Sequence, residues 1–304
     1  MMDKRIKLRH LQIFIEVARQ KSVGKAANVL AVSQPAVTKT IRELEEILEV
    51  KLFEKEGRGI RLGRFGEVFL RHAGASVAAV QQGVDSVLQA ARQSAPPVRI
   101  GALPTVSARI MPDAIKLYLK ENLGNEIKIV TGENLVLLEQ LRLAELDLVV
   151  GRLAAPEKMT GLSFEHIYSE QVVFAVRAGH PLVMSGQLHL ETLRDYPILM
   201  PTKASVIRPF VERFLLTNGI PELPSQIETV SDSFGRAFIR SSDAVWIISE
   251  GVVANDLRDG RMAALPIDTS ETRGAVGLTT RADEDPSAPL SIMCQCIRAV
   301  AKQH

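Results

Sequence analysis

Gln34, Thr38, Lys39 and Arg42 have side chains that could bind a nucleic acid, and their spacing puts them on one side of an α-helix. Glutamine and threonine can form hydrogen bonds with the edges of bases. Lysine and arginine can bond guanine or a phosphate oxygen. The chemistry that these four residues indicate is recognition of a DNA groove.

These side chains require a helix that begins just before them. Ser33 is a favourable N-cap, and Pro35 then falls in the first helical turn, where its missing N–H costs nothing. The opposite face of this helix is apolar, with residues spaced four, three and four: Val37, Ile41, Leu44 and Leu48. A shorter helix over 23–30, capped by Ser22, is predicted before it. A first helix is predicted from the apolar stripe of Leu8, Leu11, Phe14, Ile15 and Ala18.

The segment after these helices, residues 52–63, is apolar, interrupted by glycines, and basic at Lys55, Arg58 and Arg61. This pattern is typical of a hairpin wing that lies along a DNA backbone or in a minor groove. Two interpretations stand at this point. One is a winged helix-turn-helix whose second helix enters the major groove. The other is a small helical domain with an ordinary solvated face, and the residue types alone support both equally.

Charge is distributed unevenly along the chain of 304 residues. Residues 1–95 carry 16 Lys and Arg against 10 Asp and Glu, whereas the remainder carries 21 against 25. A basic first part therefore favours a polyanionic partner. A hydrophobic content of 46% and a charged content of 24% are typical of a globular protein, and the length fits two or three domains. There is neither a long apolar run nor an apolar signal core, so we expect no membrane span and a cytoplasmic location.

Residues 64–93 contain no proline and predict one long helix, which Pro96 and Pro97 would end. Its apolar positions alternate steps of four and three, and we call them the linker stripe: Gly66, Leu70, Ala73, Val77, Val80, Val84, Val87 and Ala91. A helix with such a repeat needs a partner to cover the stripe. That partner could be the same helix of a second subunit or the chain's own body.

From Val98 onward, short β-branched runs alternate with helical stretches, which predicts α/β lobes. The first lobe is expected to take residues 96–162 and to be completed by residues 266–304. A second lobe is expected over 163–265. Within the first lobe the pattern predicts one helix over 107–120.

Polar loops follow four of the predicted strands, at 104–107, 131–134, 200–205 and 231–234. Ligands of open α/β sheets bind beyond the carboxyl ends of strands, where helix N-termini present free N–H groups. N-capping explains any one hydroxyl, but converging loops suit a carboxylate, with Lys203 or Arg208 as a possible added cation. The candidate ligand-binding residues are Thr105, Ser107, Asn134, Pro201, Thr202, Lys203 and Ser205.

No catalytic or metal-binding set is recognisable in the sequence. The six histidines show no ligand spacing, and His180, which follows a predicted strand, is interpreted as structural. Cys294 and Cys296 would lie on different sides of a helix, without a histidine cluster. We therefore expect no enzymatic activity, no metal and no cofactor.

The order of residues in the first sixty positions resembles the DNA-binding domain of LysR-type transcriptional regulators. The shared signature comprises Leu11, Phe14, Ser22, Ala26, Ala27, Ser33, Gln34, Pro35, Ala36, Ile41, Leu44, Glu45, Leu52 and Phe53. Many members have glycine where Glu49 stands, so a strained left-handed cap is expected there. Many have arginine where Lys55 stands, so Lys55 is expected to contact phosphate only.

The resemblance covers the whole chain and implies its organisation. It implies a winged helix-turn-helix over 1–63, a linker helix over 64–95 that pairs between subunits, and a two-lobed effector domain over 96–304 like a type 2 periplasmic binding protein. A homodimer, assembled into a tetramer, would bind an interrupted inverted repeat in a promoter. The expected DNA-binding residues are Ser33, Gln34, Pro35, Thr38, Lys39, Arg42, Lys55 and Arg58.

Within the family, the chain most resembles a branch whose members regulate either protocatechuate catabolism or sugar uptake. The polar loops that follow the four predicted strands suit an anion. We therefore expect that a small carboxylate activates an aromatic-acid operon through this protein, and the alternative is that the protein regulates sugar uptake. A solute-binding protein that never contacts DNA would lack the basic helix-turn-helix. An α/β enzyme would need a nucleophile or a cofactor motif. The sequence therefore favours the regulator over both.

Overall fold

The computed structural model describes residues 5–57, 59–92, 96–184, 189–220, 222–282 and 284–303. The chain forms two compact units. One comprises Met1–Gln93 with Arg142–Glu145, and the other comprises Ser94–Leu141 with Leu146–His304. We call the first the N-terminal unit and the second the effector domain, the name that the family resemblance implies for it.

The N-terminal unit consists of helices followed by a hairpin and a long helix. Its elements are α1 (Leu8–Gln20), α2 (Val23–Val29), α3 (Gln34–Leu48), β1 (Phe53–Glu56), β2 (Gly59–Leu62) and α4 (Arg64–Arg92). The hydroxyl groups of Ser22 and Ser33 accept hydrogen bonds from the N–H groups of Lys25 and Ala36, which confirms both predicted N-caps. Strands β1 and β2 pair antiparallel and form the predicted wing.

The core of this unit is built around Phe14, which is 0% exposed. Its ring centroid lies 5.3 Å from that of Phe53 and 5.2 Å from that of Phe69, so α1 packs against both the wing and α4. The buried carboxylate of Glu45 accepts a 2.9 Å hydrogen bond from the N–H of Leu52 and thereby ties α3 to the start of the wing. Glu49 ends α3 in the left-handed region (φ 57°), as expected.

The linker stripe is divided between two environments. Gly66, Leu70 and Ala73 are buried, and the two apolar side chains belong to the core of the N-terminal unit. A Cβ at Gly66 would overlap the carbonyl oxygen of Leu52. Farther along, Val80, Val84 and Val87 are 50%, 49% and 71% exposed. The first part of the stripe therefore covers the chain's own core, and only the later part is open to a partner. The side chain of Ala91 lies outside the described residues.

The first lobe of the effector domain is a five-stranded mixed sheet with helices packed against it. Its strands, in spatial order β4-β3-β5-β12-β6, are β3 (Val98–Ala102), β4 (Ile127–Thr131), β5 (Leu148–Arg152), β6 (Leu162–Glu170) and β12 (Gly274–Arg281). Its helices are α5 (Pro104–Arg109), α6 (Met111–Leu119), α7 (Asn134–Arg142) and α12 (Ala288–Ala301).

The second lobe repeats this arrangement with a five-stranded sheet of order β11-β7-β10-β8-β9. Its strands are β7 (Val172–Arg177), β8 (Ile198–Met200), β9 (Gln226–Glu228), β10 (Val245–Ser249) and β11 (Met262–Ala264). Its helices are α8 (Pro181–Met184), α9 (Arg208–Thr217), α10 (Asp232–Ser241) and α11 (Glu250–Arg258). Short 3-10 turns lie at Pro156–Lys158, Leu190–Asp195 and Ser270–Thr272.

Two details of the first lobe differ from the prediction. Strand β6 pairs along its length with β12, so the chain enters the second lobe after Glu170 and not after residue 162. The reason is that residues 162–170 extend one continuous edge strand of the first sheet. The helix expected over 107–120 is two helices, α5 and α6, which meet at Ile110; Pro112 lies in the first turn of the second.

Candidate DNA-binding face and effector site

Helix α3 brings the predicted DNA-binding residues that lie outside the wing together on one face, where Thr38 is half-buried and the others are exposed. Gln34, Pro35, Thr38, Lys39 and Arg42 line a shallow groove. The residues of α3 that face the other way are buried, because they pack in the core of the N-terminal unit. We call these five residues, with Ser33, the recognition face. Its polar groups can meet a base edge while the fold beneath them stays intact.

Two carboxylates that sequence reasoning did not single out border the recognition face: Glu43 and Glu46. Glu43 lies 3.8 Å from Lys39 Nζ, 3.6 Å from Arg9 Nη2 and 3.6 Å from His10 Nε2. Burial lowers the pKa of His10, so its ring is neutral near neutral pH. Glu43 therefore interacts with the two charged side chains, those of Lys39 and Arg9. In the sequence, Glu43 follows Lys39 by four residues, which puts the two side chains on the same side of a helix, and this spacing could have predicted the pair.

The wing presents Lys55 on strand β1, where its side chain is exposed. Arg58, the other predicted wing contact, lies outside the described residues. Arg61 on β2 forms an ion pair with Glu54 across the hairpin. Lys55 is thus accessible to a partner that approaches the wing.

In the effector domain, the predicted residues lie just after strands: Thr105 and Ser107 in α5 after β3, Asn134 at the start of α7 after β4, and residues 201–205 after β8. Thr105 is buried, and its Oγ1 donates to the carboxylate of Glu170, at 2.5 Å and 2.6 Å from its two oxygens. Asn134 is also buried and donates from Nδ2 to the backbone oxygen of Arg152 at 2.9 Å. Thr202 donates to Glu133 Oε1 at 3.3 Å, which joins the second lobe to the first.

The remaining predicted residues differ in their accessibility. Ser107 and Ser205 are half-buried, Lys203 is exposed and Pro201 is buried. The Pro201 carbonyl accepts from Arg208 Nη1 at 2.7 Å, and Arg208 also pairs with Glu212 and Glu228. Because Arg208 already faces two carboxylates, it is poorly suited to bind a third, whereas Lys203 keeps its candidate role.

A buried polar network that was not predicted lies where the chain passes between the lobes. Glu170 ends β6, and besides Thr105 it accepts from the N–H of Gly251 at 3.3 Å. Burial raises the pKa of Glu170, and Thr105 opposes that shift. Val172 donates to Thr272 Oγ1 at 3.0 Å and accepts from Thr269 Oγ1 at 2.6 Å. These bonds hold the two crossing segments against each other.

Several side chains of types that can support catalysis or metal binding have structural roles instead. His180 is buried, accepts from the N–H of Leu182 at Nδ1 and donates from Nε2 to the Asp243 oxygen, as the sequence indicated. Burial raises the pKa of Cys294 to about 11, so its thiol stays protonated. Among the described residues there is no cluster of three or more potential metal ligands. None of the described helices has the length and apolar character needed to span a membrane.

A winged helix-turn-helix with an exposed polar recognition face, in one chain with a two-lobed domain, defines a DNA-binding regulator with a ligand-responsive part. The chain belongs to the LysR family. The profile described as "Bacterial regulatory helix-turn-helix protein, lysR family" matches residues 8–67, and the "LysR substrate binding domain" matches residues 91–302. It is a LysR-type transcriptional regulator, and regulators of this family bind DNA and small effectors and form oligomers.

Known proteins resemble it to different degrees. The transcriptional regulator PcaQ of Agrobacterium fabrum is 65% identical over 301 residues, which cover 99% of this chain and 97% of that protein. The regulator GbpR of Azospirillum brasilense is more distant, at 28% identity over 249 residues, 82% of this chain and 73% of that protein. A full-length OxyR variant of Pseudomonas aeruginosa superimposes with a TM-score of 0.63 at 22% identity, covering 98% and 96% of the two chains. That structural likeness concerns the fold.

Proposed function

We propose that this regulator activates a promoter of an aromatic-acid catabolic operon, of the protocatechuate type, in the cytoplasm. A homodimer joined through the linker helix, and assembled into a tetramer, would place recognition faces on an interrupted inverted repeat. A small carboxylate bound between the lobes would be the signal. The recognition face of α3 carries this proposal, and the 65% identity to PcaQ favours the protocatechuate pathway over sugar uptake.

Removing hydrogen-bonding groups from the recognition face should reduce specific DNA binding. Gln34→Ala and Thr38→Ala are each expected to cost about 1–3 kcal/mol of operator affinity, because each removes contacts to base edges from the recognition face. Fluorescence anisotropy with a promoter fragment and a scrambled fragment measures this. Gln12→Ala, an exposed glutamine on α1, is the matched control. Unchanged operator affinity in both variants would show that α3 is not the recognition helix.

The wing should contribute affinity without sequence preference. Lys55→Ala is expected to weaken binding to specific and scrambled DNA alike. It should also reduce the slope of log affinity against log salt by about 0.9 for each subunit bound, since one phosphate contact is lost. Lys116→Ala, an exposed lysine of the effector domain, serves as control. A loss confined to the specific fragment would mean that Lys55 contacts a base.

The effector is tested by titration calorimetry with the full-length protein. Protocatechuate, its carboxymuconate ring-cleavage product and a panel of sugars are compared, on the wild type and on a Ser107→Ala, Thr202→Val double variant. We expect carboxylate binding that the double variant weakens. Sugar binding without a response to any carboxylate would transfer the proposal to the GbpR-like alternative.

A further inference from the structure

A groove at the start of α1 adjoins the recognition face. Its lining includes Lys7, Arg9 and His10, at the start of α1, and Glu43 and Glu46 on α3. We call these five residues the α1–α3 groove. Glu43 and Glu46 also border the recognition face, so the two surfaces are continuous. A DNA segment that contacts the recognition face would therefore pass next to the α1–α3 groove.

His10 contributes a buried donor to this groove. The residue is 2% exposed, and its Nδ1 accepts a 3.2 Å hydrogen bond from the N–H of Lys7. In the neutral ring the proton therefore lies on Nε2. Nε2 is shielded from solvent and has no hydrogen-bond partner among the residues that the structure describes. A buried N–H without an acceptor is costly, so an acceptor that reaches this position is favoured.

Glu43 supplies negative charge to the groove from a distance. Its oxygens lie 3.6 Å from Arg9 Nη2, 3.6 Å from His10 Nε2 and 3.8 Å from Lys39 Nζ. All three separations are longer than a well-formed hydrogen bond. The first turn of α1 contains no acidic residue, although the N-terminus of a helix favours negative charge. Glu43 therefore balances the charge of the groove without satisfying its donors.

We propose that the α1–α3 groove binds a phosphate of the DNA backbone, which accepts hydrogen bonds from Arg9 and from His10 Nε2 and displaces Glu43 from them. A phosphodiester has two charged oxygens and can meet both donors, whereas the carboxylate of Glu43 is tethered to α3. Glu43 is 33% exposed and can swing outward. This inference rests on the proposed DNA contact of the recognition face and extends that contact to α1. Glu43 then acts as an internal competitor that lowers the affinity for DNA.

The first test measures binding of the full-length protein to a promoter fragment by fluorescence anisotropy. Arg9→Ala and His10→Asn should each weaken binding about tenfold, the low end for a hydrogen bond to a charged group. His10→Asn keeps an acceptor for the N–H of Lys7 and removes Nε2. Glu43→Gln should tighten binding about two- to fivefold, because it removes the competing anion. Glu46→Gln removes the same charge from the same groove, without an ion pair among the described residues, and should tighten binding less.

The second test identifies the phosphate itself. Each phosphate of one half-site is replaced in turn by an uncharged methylphosphonate, and affinity is measured for the wild type, Arg9→Ala and His10→Asn. The wild type should lose affinity at several positions, since DNA binding depends on phosphate contacts. At one of these positions the two variants should lose little or nothing further, because the contact is already absent. Inorganic phosphate, tested by its effect on the thermal midpoint, shows whether a free anion binds instead.

Three results would overturn the inference. The first is a methylphosphonate scan in which folded Arg9→Ala responds like the wild type at every position; Arg9 is 60% exposed, so this variant serves even if His10→Asn does not fold. The second is a gain in Glu43→Gln no larger than in Glu46→Gln. The third is stabilisation by inorganic phosphate without any such position in the scan, which would make the groove a site for a free anion. In each case the proposed function stands if Gln34→Ala and Thr38→Ala still weaken operator binding, and otherwise both fail.

Discussion

The double variant Val80→Asp, Val84→Asp is expected to dissociate into single subunits and to lose tight binding to an operator with two half-sites. Both valines are half-exposed on α4, and in a paired linker they would lie against the same helix of a second subunit. Two unpaired carboxylates in that apolar contact would cost several kcal/mol. Sedimentation velocity should show a smaller species, and anisotropy should show loss of the affinity that comes from two joined recognition faces.

The control for this experiment is Ala75→Asp. Ala75 is exposed and lies on the other side of the same helix, so it adds the same charge without entering the contact. Its oligomeric state and operator affinity should match those of the wild type. If the double valine variant also stays oligomeric with full affinity, surfaces other than the linker hold the subunits together.

The substitution Phe14→Ala is expected to destabilise the N-terminal unit by about 3–5 kcal/mol. It replaces a fully buried ring that contacts Phe53 and Phe69 with a cavity. Unfolding of the second lobe can be followed separately in this protein. Its one tryptophan, Trp246, is buried in the second lobe of the effector domain. Its fluorescence therefore follows that lobe, whereas circular dichroism follows the helices of the whole chain.

In urea, Phe14→Ala should move part of the dichroism transition to lower denaturant while the tryptophan transition stays in place. DNA binding should be lost in the same range. Leu8→Ala removes an apolar side chain from an exposed position of the same helix and should change little. A fluorescence transition that shifts together with the dichroism would mean that the two units unfold as one.

The DNA-binding part could be predicted well because its determinants are local. Ser22 and Ser33 cap helices whose N–H groups lie three residues away, and Pro35 follows at once. The linker stripe shows the limit of such patterns. Its spacing indicates an apolar face, but nothing in the spacing says that Gly66, Leu70 and Ala73 are buried within the N-terminal unit of the same chain.

The effector domain depends more on contacts between distant residues. Helix α11 was not predicted, because Gly251 and Asn255 are poor helix formers and packing stabilises the helix instead. Asn255 donates to the Ala108 oxygen at 3.1 Å, and a Cβ at Gly251 would lie 2.7 Å from the Thr105 oxygen. This close approach of α11 to α5 requires the glycine.

The site itself was predicted in part. The polar residues that follow strands could be identified, since strand ends and hydroxyl groups are visible in a sequence. Their partners could not, because Glu170 lies 65 residues from Thr105 and Thr272 lies 120 residues from Arg152.

The order of strands in the first lobe has a consequence for biosynthesis. Strand β12 lies between β5 and β6, and α12 packs against the same sheet, yet both come from the end of the chain. As the polypeptide leaves the ribosome, the second lobe is complete first, while the first still lacks its fourth strand and exposes two strand edges. Such edges attract other chains and chaperones. A chain that terminates prematurely after the second lobe would therefore have one folded lobe and one sheet that lacks β12 and has unpaired strand edges. We expect such a product to be degraded by proteases.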